Sequence, residues 1–100
     1  EIVDGPYSLT SIDLFEFINK SLPYDSKFSF IKPRVLSYYT NRLACRIKVY
    51  KQLILSDVEY LVFDKNRNEY NYLDMIKNNP NNFSLIYDNG RFVIYNILRL

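Results

Sequence analysis

One hundred residues, 48% of them hydrophobic, describe a single globular domain of ordinary core size. The chain has no His, one Cys and two Gly, which excludes histidine-based catalysis, a cysteine zinc site, an internal disulfide, a P-loop and a dinucleotide fingerprint. Net charge is only +2, yet the segment 26–55 carries Lys27, Lys32, Arg34, Arg42, Arg46, Lys48 and Lys51 with no Asp or Glu, which marks it as a docking surface for an anionic partner.

No run of about 18 apolar residues and no charged-then-apolar leader is present, so a soluble chain without a membrane span is expected. The polar start Glu1-Ile2-Val3-Asp4-Gly5-Pro6, without Met, reads as a segment excised from a longer protein or a processed product. Residues 1–100 form one domain, with an N-terminal helix over 8–23 and an α/β core over 27–100. No small-molecule substrate, cofactor or metal is expected. Asp57, Glu59 and Asp64 are read as solvated strand ends rather than a cation cluster, and Cys45 as a small buried hydrophobe.

The first helix is announced by Thr10 and Asp13 at capping-box spacing. Ile12, Leu14, Phe15, Phe17, Ile18 and Leu22 supply its apolar stripe, and Pro23 stops it. Residues 27–32 alternate aromatic and polar side chains as a first strand ended by Pro33. Leu36, Tyr39, Leu43, Ile47, Tyr50 and Ile54 then recur at steps of three and four, predicting one helix over 36–51 with a basic polar side.

Leu53-Ile54-Leu55 is read as a strand stub beside a buried strand over 58–63. After polar residues 64–68 comes a short helix over 70–77, closed by Asn79-Pro80. A strand over 83–87 and the Asp88-Asn89-Gly90 turn follow, leaving 91–98 as either a returning hairpin strand or a closing helix. This order predicts a small three-layer α/β sandwich with a mostly parallel four-stranded sheet. Tyr38, Tyr70, Tyr87 and Tyr95 are candidates for an exposed aromatic contact patch.

The stretch from Leu43-Ala44-Cys45-Arg46-Ile47 through Leu53 to Asp64 resembles the helix, short strand and third strand of a BRCT domain. Tyr72 to Ile76 then correspond to that family's second helix and Phe83 to Ile86 to its fourth strand. Phe92 takes the place of its Trp in a closing helix, while its Gly-Gly is here Tyr50-Lys51. The helix ahead of the first strand is similar to the helix-preceded BRCT variants of yeast heterochromatin and replication regulators, including the silent information regulator type. The resemblance implies a nuclear, chromatin-associated scaffold that binds protein partners.

It also implies phosphate recognition by a hydroxyl after the first strand, Ser37 or Thr40, and a cation near the second helix, Lys65 or Arg67. A hydroxyl and a cation at a helix N-terminus make a phosphate site on physical grounds as well. Arg34, Arg42 and Arg46 would widen the acceptor surface. Against this stand plain N-capping for Ser37 and Thr40 and a solvated loop for Lys65 and Arg67.

The expected function is therefore a non-enzymatic module gripping an acidic or phosphorylated protein segment. The alternative is a winged-helix-like DNA-binding domain, with the 36–51 helix in the major groove and the 83–98 hairpin as the wing. A hairpin at 91–98 would favour that alternative over the BRCT resemblance.

Overall fold

The computed structural model describes residues 8–67 and 72–99. Helix α1 (Leu9–Ser21) is followed by β1 (Lys27–Ser29), α2 (Pro33–Thr40), β2 (Leu43–Cys45), α3 (Tyr50–Leu55) and β3 (Tyr60–Asp64). Then come α4 (Tyr72–Asn78), a 3-10 turn (Pro80–Asn82), β4 (Phe83–Asp88) and β5 (Phe92–Ile97). The five strands form one sheet in the order β2-β1-β3-β5-β4. β1 pairs in parallel with β2 and β3, whereas β5 pairs antiparallel with both β3 and β4. The sheet is thus mixed and five-stranded, not four-stranded and mostly parallel, because 91–98 returns as a strand instead of closing as a helix.

Alternation along the central strands builds two cores. Val62, Phe92 and Ile94 face α1 and α2 together with Phe28 and Phe30, while Leu61, Phe63, Val93 and Ile97 face Leu53 of α3 and Tyr72 and Met75 of α4. Helices on both faces give the three-layer α/β arrangement. Among the described residues no helix is long and apolar enough to cross a membrane.

Helix α1 forms where its apolar stripe predicts, but its cap is Ser8 rather than Thr10. Ser8 Oγ accepts the Ser11 N–H at 3.2 Å and lies 2.8 Å from Ser11 Oγ, leaving Thr10 inside the first turn. Leu14, Phe15 and Ile18 are buried beneath it. Tyr70, at the expected start of the fourth helix, lies outside the described residues.

The single helix expected over 36–51 is not formed. Pro33 occupies the first turn of α2, where a missing N–H costs nothing. Asn41, with φ 55°, closes α2 in the left-handed conformation by donating its N–H to the Ser37 carbonyl at 2.9 Å. The chain then runs extended as β2 along β1 before restarting as α3. Leu36 sits in the α1/α2 core, Leu43 is 68% exposed, and Ile47, Tyr50 and Ile54 pack on the opposite face, so the apolar period spans three environments. Leu53-Ile54-Leu55 is consequently helical, not a strand stub.

Turn chemistry locks the C-terminal hairpin. Asn89 Oδ1 accepts the Arg91 and Phe92 N–H groups at 3.1 and 2.8 Å, and Gly90 takes φ +93°, which a side chain would strain. Arg99 donates to the carbonyls of Leu53, Ile54, Ser56 and Val58 and so fastens the end of β5 to α3.

Candidate functional site

The N-terminus of α2 faces the ends of β1 and β2. Lys32 is its N-cap residue and makes no capping hydrogen bond with its side chain, and Pro33 has no N–H. The Arg34 and Val35 N–H groups therefore stand at a helix start without a side-chain acceptor, where the helix dipole favours an anion. A concavity of about 290 Å³ opens there, lined by Ile31, Lys32, Pro33, Arg34, Val35 and Arg46. Among the described residues its lining holds three cations and no carboxylate. Lys32 and Arg34 form no ion pair among the described residues.

The seven expected site residues are dispersed. Arg34 and Arg46 are exposed and converge on this concavity. Ser37 lies a turn further along α2, where its main-chain carbonyl accepts the Asn41 N–H. Thr40 is the last residue of α2, 3% exposed, with Oγ1 donating to the Leu36 carbonyl at 2.7 Å. Neither hydroxyl stands at the helix N-terminus, nor does either act as an N-cap.

Arg42, expected to widen the acceptor surface, is buried instead. It is 6% exposed, and its guanidinium donates to the carbonyls of Leu22, Pro23 and Thr40 and to Asn19 Oδ1 at 2.7–3.0 Å. It also lies over the Tyr24 ring, 5.9 Å from the centroid. Its geometry ties the end of α1 to the end of α2 instead of presenting charge to a ligand.

Lys65 is also elsewhere. It bridges both Asp88 carboxylate oxygens at 3.0 and 2.9 Å, across the rim of a concavity on the α4 side of the sheet lined by Phe63, Leu73, Leu85, Val93 and Tyr95. The Lys65 hydrogen bond, followed by the Gly90 N–H, holds the Asp88 carboxyl below its ordinary pKa. Arg67 is half-buried, and its N–H donates to the Asp64 carbonyl at 3.0 Å. Ser37 and Thr40 belong to the α2 side, so the expected hydroxyl–cation pair does not assemble.

Two of the acids read as solvated strand ends are engaged, and Asp64 is buried rather than solvated. Asp64, 4% exposed, accepts the Arg91 guanidinium at 3.3 and 3.2 Å, and Asp57 pairs with Lys27. Cys45 is exposed on β2, not buried; partial desolvation, with the Asp57 charge second, pushes its thiol pKa up. Of the tyrosines expected at the surface, Tyr38 is 78% exposed, whereas Tyr87 is half-buried against Phe17 and Tyr95 against Phe83.

Lys32, expected only as one of the seven cations of the basic segment, is the contributor not singled out for the anion site. The signal was its place before Pro33: a Lys-Pro at a helix start puts a cation where a capping Ser or Asp usually stands. No protein-family model and no curated protein matches this chain.

Proposed function

We propose that this domain is a non-catalytic recognition module for an acidic or phosphorylated segment of a partner protein, the anion being held at the α2 N-terminus by Lys32, Arg34 and Arg46. The observation that carries the reading is a concavity at a helix start with no side-chain cap, lined among the described residues by Lys32, Arg34 and Arg46 and by no acid. Kinship with helix-preceded BRCT domains, and with it a nuclear, chromatin-associated partner, belongs to the same proposal. It is supported by α1 preceding a parallel β1, β2, β3 block and by a basic helix start directly after β1. The β4–β5 hairpin departs from the closing helix of that family.

That hairpin is the feature that would favour DNA binding, but the recognition helix this alternative requires is interrupted at Asn41 by β2. Peptide recognition is therefore preferred. The test is titration of matched phosphorylated and unphosphorylated acidic peptides, with short duplex DNA as a third ligand, against the parent and Arg34→Glu/Arg46→Glu proteins. The expected outcome is phosphate-enhanced binding that falls about 100-fold or more on double charge reversal, by loss of two charge-assisted contacts. Equal binding by the reversed protein, or a preference for DNA with a steep salt slope, would overturn it.

A further inference from the structure

Gly90 follows Asn89, and the sequence contains no other Asn-Gly pair. Such a pair is chemically labile in water. The Gly main-chain nitrogen, unshielded by a Cβ, attacks the Asn side-chain carbonyl carbon. A new C–N bond closes a succinimide ring as the C–Nδ2 bond breaks, and the Gly proton leaves with the amide nitrogen as ammonia. Water then opens the ring at either carbonyl, giving aspartate or its main-chain isomer isoaspartate. The reaction needs no oxidant, reductant or second protein, so the surroundings of Asn89 decide whether it runs.

Those surroundings engage the reacting atoms. The Gly90 N–H donates to Asp88 Oδ1 at 2.8 Å. Asn89 Nδ2, the leaving group, donates to the Thr10 carbonyl at 2.8 Å and to the Tyr87 hydroxyl at 3.1 Å. Asn89 Oδ1 accepts the Arg91 and Phe92 N–H groups, and the Asn89 N–H donates to the Phe92 carbonyl at 3.1 Å. Tyr87 is itself fixed by stacking on Phe17 of α1, with ring centroids 4.3 Å apart. Nothing lies within 4 Å of where a Gly90 Cβ would stand, so hydrogen bonding and not crowding restrains the pair. Asp88 is a poor base for the Gly90 proton. Both its oxygens accept from Lys65, and that hydrogen bond, followed by the Gly90 N–H, holds its carboxyl below the ordinary pKa.

We infer that Asn89 is a self-modifying site that the fold keeps shut, deamidating in molecules whose β4–β5 hairpin has opened, and that its acidic product cannot remake the tie to α1. Ring closure draws the Gly90 nitrogen off Asp88 and Nδ2 off Thr10 and Tyr87, and all three hydrogen bonds are released together when the hairpin opens. An aspartate at 89 still accepts the Arg91 and Phe92 N–H groups, which preserves the turn. Where Nδ2 stood, however, a carboxylate oxygen faces the Thr10 carbonyl with no proton between them. Tyr87 can turn its hydroxyl to donate, but a carbonyl has nothing to donate. The contact that joins the hairpin to the first turn of α1 across 79 residues of sequence is lost. Isoaspartate goes further, because it adds a methylene to the main chain inside the turn that sets Asp88 opposite Val93. Since ammonia diffuses away, the change is one-way.

The test follows position 89 by peptide mass spectrometry while the 100-residue protein is incubated at mildly alkaline pH, in buffer and in urea above its unfolding midpoint. A peptide of residues 85–94, in the same two solvents, corrects for the effect of urea on the chemistry. Deamidation should be slower in the folded protein by about tenfold or more, since three hydrogen bonds must first be given up. Asp88→Ala frees the Gly90 N–H and should narrow the gap between the folded and unfolded rates. Equal rates in folded and unfolded parent, or slower reaction in folded Asp88→Ala, would overturn the closure. In Asn89→Asp, amides in the first two turns of α1 should exchange hydrogen severalfold faster than in the parent while the β3–β5 ladder keeps its protection. Parent-like exchange in α1 would overturn the consequence for that helix. Should Asn89→Asp fail to fold, the deamidated fraction separated from the parent by ion exchange gives the same comparison.

Discussion

Replacing Arg42 with Met keeps an aliphatic stem in the same space and removes every guanidinium donor. Four acceptors lose a partner, but not equally. The Pro23 carbonyl also accepts Ser26 N–H and Oγ, so it stays satisfied, and Asn19 is exposed and can turn to water. The Leu22 and Thr40 carbonyls are left, the latter in a buried setting. Two charge-assisted bonds lost at about 1.5 kcal/mol each place the destabilisation near ~3 kcal/mol. That is a large share of the roughly 5–15 kcal/mol expected of such a domain.

In urea, with a slope of about 1.5 kcal/mol/M, the unfolding midpoint should fall by about 2 M. Arg34→Met, at an exposed position, should stay within about 0.5 kcal/mol of the parent. An Arg42→Met protein that unfolds like the parent but no longer binds phosphopeptide would refute the assignment and return Arg42 to the ligand surface.

Asn41 sits in the left-handed region, so Asn41→Gly should leave the thermal midpoint unchanged or raised, whereas Asn41→Ala should cost about 1 kcal/mol, since Ala keeps the Cβ but lacks the short polar side chain that lets Asn tolerate that conformation. The Asp88 carboxyl is held below its ordinary value of 3.8, chiefly by the Lys65 hydrogen bond. The stabilisation is therefore present above that pH and disappears as pH falls through the lower, folded value. Urea midpoints for the parent should drop between about pH 5 and about pH 2, and Asp88→Asn should flatten part of that drop.

Much of the architecture was legible before the structure. The apolar stripe from Ile12 to Leu22, the β-branched run around Val62 and the Asp88-Asn89-Gly90 turn each have a local cause, and each forms as its pattern dictates. The failure between Leu36 and Lys51 is instructive. A 3.6-residue period there arises from side chains that pack in separate places, and the break depends on a single left-handed Asn and on a neighbour strand supplying hydrogen bonds. Neither leaves a mark in hydropathy.

The charge block misled in a related way. Lys and Arg look equivalent in composition, but a guanidinium with several donors can serve as a mortar for main-chain carbonyls, as Arg42 and Arg99 do. Only tertiary placement separates those from Arg34 and Arg46, which reach the surface concavity. The basic character of 26–55 was visible in sequence. The placement of Lys32 at the α2 start became visible only once the helix boundary was fixed.

β5 is the last strand in chain order, yet it lies between β3 and β4 and, among the described residues, is the only strand by which β4 joins the sheet. During synthesis, the half-sheet of β1, β2 and β3 must wait with one flank open, and β4 has nothing to add to until the residues after Gly90 emerge. Partial products of this chain therefore have no stable stopping point, and the domain should acquire its native hydrogen-exchange protection in one late step rather than strand by strand.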